Sequence, residues 1–352
     1  MSLTLIIIII TFLAILLCAF TNGIHNISNV IVTIVSSGAL DFRKALLLVA
    51  FFEFVGPLLG GTMVAGAVMS IIKTERIIAE FGSGQIVVIV LASVLAAISW
   101  NLITWHFALP SSSSHALIGG LVGSALAATR QLGFIAWGMG GGNVFHLKGF
   151  SGVMAAMILS PILGFIAGFT TTIFVRFLLR GGTPRTNHFL KRAQIFSSSA
   201  LAFSHGSNDV QKSMGLMALV LLSINPETNL HIPFYVKFVC AAAIMLGALT
   251  GGRRIMKTVG RGIFRLKIEH GFNTQLASTI IILGNSLVGG PVSTIHVIST
   301  TVMGVGTAVR SKAVRWNKVG EIAVAWITTL PATFLLGALI YFIISPLAKY
   351  IK

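Results

Sequence analysis

The sequence predicts an all-α, polytopic membrane protein, and three observations carry that expectation. Mean hydropathy is +0.94. Apolar residues make up 55% of the 352 positions and charged residues only 9%, where a soluble domain carries about a quarter charged residues. The apolar runs recur from residue 3 to residue 348, so the bias belongs to the whole chain.

A membrane span needs about 20 apolar residues. Candidate runs fall at 3–21, 44–70, 85–106, 114–129, 151–177, 191–223, 234–252, 275–310 (interrupted) and 319–345. Several can hide a bent pair, so the pattern predicts about ten to twelve membrane segments, with broken helices or re-entrant hairpins among them. The first run has no basic segment before it and no small-residue cleavage pattern, so it reads as a span and not as a cleaved signal. Cys18 and Cys240 each lie inside an apolar run and read as inert packing residues, with no disulfide framework or metal site.

The formal charge is +17. In a soluble chain this would raise nucleic acid as a partner. Here the basic residues sit between apolar runs: six from Arg253 to Lys267, five from Arg176 to Arg192 and four from Arg310 to Lys318. That is the inside bias of Lys and Arg beside membrane spans, and it implies a lipid bilayer as partner and no nucleic acid. Asp41, Glu75, Glu80, Glu227 and Glu269 read as solvated loop charges, and Glu321 as a residue near the interface.

Two polar motifs each occur twice. Asn22-Gly-Ile-His-Asn-Ile-Ser-Asn29 has a partner in His205-Gly-Ser-Asn-Asp-Val-Gln-Lys212. Pro110-Ser-Ser-Ser-Ser-His115 with Gly123 has a partner in Pro291-Val-Ser-Thr-Ile-His296 with Gly304. Asn26 precedes His115 by 89 residues and Asp209 precedes His296 by 87. The chain therefore divides into a first membrane repeat (1–175), a basic connecting loop (176–192) and a second membrane repeat (193–352). Internal duplication is typical of secondary transporters, whose sites lie where repeats meet. Spacing alone leaves open whether the repeats are inverted or parallel.

The serines after Pro110 suit a helix start whose free N–H groups face a polar pocket. The helix dipole attracts an anion there, and serine hydroxyls add donors that can rotate. Two such starts facing each other would cradle a tetrahedral oxyanion, with Ser112, Ser113, Ser114, Ser293 and Thr294 as donors. His115 and His296 are read as braces of these turns in preference to ligands. Asp209 is an ionisable residue at membrane depth and hence a functional candidate. With Asn22, Asn26, Asn29 and Asn208 it offers oxygen to a hard cation such as sodium, and breaks in the helices at these motifs would free carbonyls for the same purpose. Lys212 pairs with Asp209 or meets the anion. Glu53, flanked by phenylalanines, should be paired or protonated, in a coupling or a structural role. Gly56–Gly60 and Gly119–Gly123 read as close helix packing.

At these motifs the chain resembles the inorganic phosphate transporter (PiT) family of sodium- or proton-coupled phosphate permeases. The matching stretches are Asn22–Asn29, Trp100–Trp105 with Pro110–Gly123, Ser160–Gly164, His205–Gly215, Gly251–Gly260 with Gly290–Gly304, and Ala325–Pro331. The resemblance implies two inverted-topology repeats, a site near mid-membrane, and cation-driven import of inorganic phosphate by alternating access, with sodium or a proton as the coupled ion and no other cofactor. It places phosphate on Ser112, Ser113, Ser293 and Thr294. Asn26, Asn29, Asp209 and Lys212, with Gln211 beside them, fall in the family's paired acid and amide motif. It also implies a homodimer and a multi-pass location in the cell (inner) membrane. One departure stands out: Asn26 occupies the place of a usual aspartate. Losing that carboxylate implies fewer coupled cations, or a proton in place of one.

Phosphate is the anion of choice because it keeps a proton at neutral pH, which a nearby carboxylate can accept in a hydrogen bond, whereas sulfate is repelled. Sulfate or a metal–phosphate complex are the alternatives within the fold. A serine hydrolase using Ser112–Ser114 with His115 needs a serine aimed at a base. Adjacent residues at a helix start seldom supply that, and a doubled motif is surplus to one active site. A channel would gather identical subunits about a pore and not fuse two halves.

Overall fold

The computed structural model describes residues 2–107, 109, 111–138, 149–180, 184–225, 232–251, 263–264 and 266–351. Pro110, Glu227 and all but Lys267 of the basic residues between Arg253 and Lys267 lie outside them. The described residues form the helices α1 (Leu3–Ser36), α2 (Phe42–Leu59), α3 (Met63–Met69), α4 (Thr74–Phe81), α5 (Ser83–His106), α6 (Ser113–Thr129), α7 (Gly149–Leu178), α8 (Pro184–Ile224), α9 (Phe234–Thr250), α10 (Ile268–Leu287), α11 (Thr294–Arg310) and α12 (Trp316–Ile344). One isolated bridge joins Ile72 and Ile135, and the described residues contain no strand.

The protein is an integral membrane protein. Four helices, α1, α5, α7 and α12 with its short continuation to Tyr350, are long and apolar enough to cross a membrane alone. A fifth span is counted when α2 and α3, bent by 72°, are taken together. The remaining segments are shorter or more polar. α6 and α11 have 17 residues each because they begin inside the molecule at the serine-bearing turns. The bend between α2 and α3 follows from local sequence. Pro57 lies inside the last turn of α2, and Gly61 takes a φ of +81° that side chains disfavour.

Related helices run in opposite directions. Asn26 of α1 meets Asp209 of α8, while Ser37, farther along α1, bonds Gln194, farther back along α8 (2.6 Å). The starts of α6 and α11 likewise face each other, bringing the His115 and His296 rings to 4.7 Å between centroids. The duplication is thus an inverted repeat.

Glycines set the packing, and they set it twice. A Cβ on Gly23 of α1 would strike Ile244 of α9, and one on Gly206 of α8 would strike Glu53 of α2. Gly56 and Gly60 of α2 receive Phe203 and Ser207 of α8, just as Gly247 and Gly251, at the end of α9, receive Phe20 and Ile24 of α1. Gly123 of α6 packs on Phe334 of α12, and Gly304 of α11 on Phe165 of α7. Each seam joins a helix of one repeat to a helix of the other, with backbone approach as close as small residues permit. Cys18 and Cys240 are free and buried.

Two expectations change. The stretch 176–192 is not a loop: Arg176–Leu178 close α7, residues 179–180 turn, and α8 starts at Pro184. Lys and Arg are good helix formers, and Leu190 is buried, so α8 continues past its apolar stretch. The motifs 22–29 and 205–212 are not helix breaks either. α1 and α8 run unbroken through them.

Candidate functional site

The site grows from two kinds of element: unbroken polar helices and interrupted ones. On α1 and α8 a one-residue step rotates a side chain by about 100°. Residues three or four apart therefore share a face, and Asn22, Asn26 and Asn29 line one side of α1. On α8 the matching face carries His205, Asp209 and Lys212. The two faces meet at the crossing. Asn26 Nδ2 donates to Asp209 Oδ2 (2.7 Å) and to Asn22 Oδ1 (2.6 Å), and Asn22 Nδ2 reaches the same carboxylate oxygen at 3.4 Å.

The helix starts close on this crossing. Ser112 caps α6 and accepts from His115 N (3.1 Å), while its hydroxyl also meets His115 Nδ1 at 2.6 Å. Ser293 caps α11 in the same way, accepting from His296 N at 3.5 Å. Helix geometry leaves the earlier N–H groups of each first turn without an intrahelical acceptor. Behind each cap, one hydroxyl touches the polar helix of its own repeat. Asn26 Nδ2 donates to Ser113 Oγ (3.3 Å), and Thr294 Oγ1 donates to Asp209 Oδ2 (3.4 Å). Ser114 Oγ donates to Val292 O (3.0 Å), tying the start of α6 to the turn before α11.

Lys212 completes the cluster. Its Nζ lies 2.5 Å from Asp209 Oδ1 and 3.0 Å from Val292 O, and it also bonds Ser114 Oγ. Both members of the ion pair are buried. Such a pair is stabilising only when further hydrogen bonds satisfy what the charges leave over, and here the hydroxyl and the carbonyl do so.

Several expected residues stand elsewhere. Asn208 faces away from Asp209. It donates to Ser286 Oγ (2.9 Å) and Gly290 O (3.0 Å) and accepts from Val292 N (3.3 Å), so it builds the turn before α11 and offers nothing to a cation. Gln211 holds the bend of the first repeat. Its Oε1 accepts from Val64 N (2.8 Å) and its Nε2 donates to Gly60 O (3.3 Å). Asn29 is buried beside the crossing, and neither of its side-chain polar atoms has a partner among the described residues. His115 Nδ1 meets the cap hydroxyl of its own turn. His296 stacks on Trp326 at 3.9 Å between centroids.

His205 was not singled out in the sequence, although the motif contains it. Its Nδ1 lies 2.8 Å from Glu53 Oε1 and its Nε2 3.3 Å from Asp209 Oδ2. Glu53, His205, Asp209 and Lys212 therefore form one buried chain of ionisable groups. The signal was available, since His205 lies four residues before Asp209 and so shares its face once the helix is continuous.

Among the described residues no group of three or more His, Cys, Asp or Glu side chains is arranged to hold a metal ion. The cluster suits a small anion on its donor side and a hard monovalent cation on its amide side. Antiparallel repeats that pool their helix starts and buried polar faces in one cluster define an inverted-repeat membrane transporter.

Comparison with known proteins narrows the class. The model of the phosphate transporter family matches residues 22–186 and 180–337. The chain is 39% identical over 347 residues to a Bacillus subtilis protein described as "Probable low-affinity inorganic phosphate transporter", covering 96% of this chain and 98% of that one. A Rhizobium meliloti protein of the same description is 38% identical, with 92% of each chain covered. A solved structure described as the sodium-dependent phosphate transporter superposes with a TM-score of 0.84 at 23% identity, over 97% of this chain and 99% of the other, which establishes the shared fold. The chain belongs to the phosphate transporter family, and the named relatives are transporters and not enzymes.

Proposed function

We propose that the protein imports inorganic phosphate across the cell (inner) membrane by alternating access, coupled to a cation gradient. One observation carries this reading: Ser113 and Thr294, one from each repeat, both contact the Asn26–Asp209 pair. Two helix starts and their hydroxyls supply donors to an anion that sheds its water. Asp209 Oδ1, which accepts from Lys212 alone, keeps a second lone pair for the proton that phosphate keeps and sulfate lacks.

Sodium is the coupled ion on the first reading. The name of the fold relative supports it, as do Asn26 Oδ1 and the side-chain amide of Asn29, which have no partner among the described residues. A proton is the second reading, favoured by the buried Glu53–His205–Asp209 chain. Assembly as a homodimer is part of the proposal and rests on the family resemblance.

Uptake of labelled phosphate into proteoliposomes, under an imposed sodium or proton gradient and with sulfate as competitor, tests the reading. Saturable uptake under one gradient, with weak competition by sulfate, is expected; no uptake under either overturns it. The Asn26→Asp variant puts a second carboxylate where Asn26 now donates to Asp209, so it needs a cation between them. Its uptake should depend more steeply on sodium than that of the wild type. An unchanged dependence removes Asn26 from the coupling scheme.

A further inference from the structure

Resting on the transport reading above, the geometry points to Lys212 as a tethered cation whose ammonium fills, in the second repeat, the position an exchangeable sodium ion would take. The surroundings of Nζ are a carboxylate oxygen, a backbone carbonyl and a hydroxyl: Asp209 Oδ1 at 2.5 Å, Val292 O at 3.0 Å and Ser114 Oγ. This is an all-oxygen set of the kind that hard cations take. An ammonium has three N–H donors and no acceptor, so three oxygens saturate it.

The other oxygen of Asp209 is also taken. Oδ2 accepts from Asn26 (2.7 Å), Asn22 (3.4 Å) and Thr294 (3.4 Å), and His205 Nε2 lies 3.3 Å away. A sodium ion approaching Asp209 must therefore displace either the lysine or this ring of donors. Displacing the lysine would leave an unpaired ammonium where the side chain is 3% exposed, which is strongly unfavourable.

The first repeat differs at the same places. Asn26 stands for Asp209, Asn29 for Lys212 and Ile295 for Ser114. Asn26 Oδ1 and both polar atoms of Asn29 have no partner among the described residues. Exchangeable cation binding is thus confined to the Asn26–Asn29 side, and Asp209 carries its counter-ion covalently attached.

Equilibrium binding of radioactive sodium to the purified full-length protein tests this, using the wild type, Asp209→Asn, Lys212→Asn, Lys212→Arg and the double variant Lys212→Asn/Asp209→Asn. The wild type should bind no more than one sodium per chain, and Asp209→Asn should not lower that number. Lys212→Asn should gain one sodium per chain, the double variant should lose it again, and Lys212→Arg should gain none. Wild-type binding above one per chain, binding abolished by Asp209→Asn, or no gain in a folded Lys212→Asn each overturns the assignment. The wild-type count decides alone if the variants do not fold. Phosphate uptake by the same wild-type preparation separates the two claims: its absence overturns phosphate transport and leaves the sodium count to judge Lys212.

Discussion

The two ends of the antiparallel α1–α8 pair occupy equivalent places in the inverted repeat and are built from different chemistry. At one end the first half of α1 and the last turns of α8 bury Ile7, Ile8, Ile15, Leu216, Leu219 and Val220 in a continuous apolar core with α5. At the other end polar contacts run beside a smaller apolar cluster that holds Ile31, Ile34 and Leu201. Ser37 donates to Gln194 Oε1 (2.6 Å), Ser197 donates to Gln275 Oε1 (2.6 Å), and Gln275 Nε2 donates to Thr33 (3.0 Å). Ser198, Thr274 and Ser278 add buried hydroxyls without partners among the described residues. The duplicated backbone does not need a duplicated interior. An apolar end is sealed by packing, whereas a polar end is held by bonds that water can replace at little cost.

Substitutions can break or sharpen this contrast. The largest effect is expected at the apolar end. Leu216→Ser removes a fully buried side chain and leaves a cavity, costing about 2–5 kcal/mol. A thermal unfolding measurement in detergent should show a clear loss, and an unchanged midpoint would mean that this end is already wet. At the polar end Gln275→Leu removes two side-chain hydrogen bonds, to Ser197 and Thr33, whose hydroxyls keep Gln194 O and Val30 O as acceptors, at a cost of about 0.5–1.5 kcal/mol each. Its midpoint should fall less than that of Leu216→Ser. The smallest effect belongs to Gly284→Ala on α10, where an added methyl meets nothing within 4 Å. Its stability should rise by about 0.5–1 kcal/mol from helix propensity, and a loss would show that something packs there.

Much of the architecture was legible in the sequence. The apolar runs locate the helices, the doubled motifs expose the repeat, and the two serine-bearing turns do converge. The reading failed at the polar stretches of α1 and α8. A cluster of amides in an apolar run looks like a break. Here the amide side chains project from continuous helices, with Asn22 and Asn26 bonding each other and Asp209, and the backbone bonds run on without interruption. Treating 205–212 as a break also hid its helical phase. Asn208 and Gln211 share one face and Asp209, Lys212 and His205 another, so grouping Asn208 and Gln211 with the charged pair mixed scaffold with site. Trp326 was out of reach, because its stacking on His296 depends on how α12 packs against the start of α11.

The glycine seams have a consequence for how such a molecule is assembled. Because α1 seats on α9, α2 on α8, α6 on α12 and α11 on α7, each half presents grooves whose fillers lie only on its counterpart. The smallest unit able to close every groove is two halves inserted in opposite orientations, tethered or not. Cutting the chain at 179–180 and co-expressing the fragments should therefore restore a complete molecule, while either fragment alone leaves its grooves open to lipid.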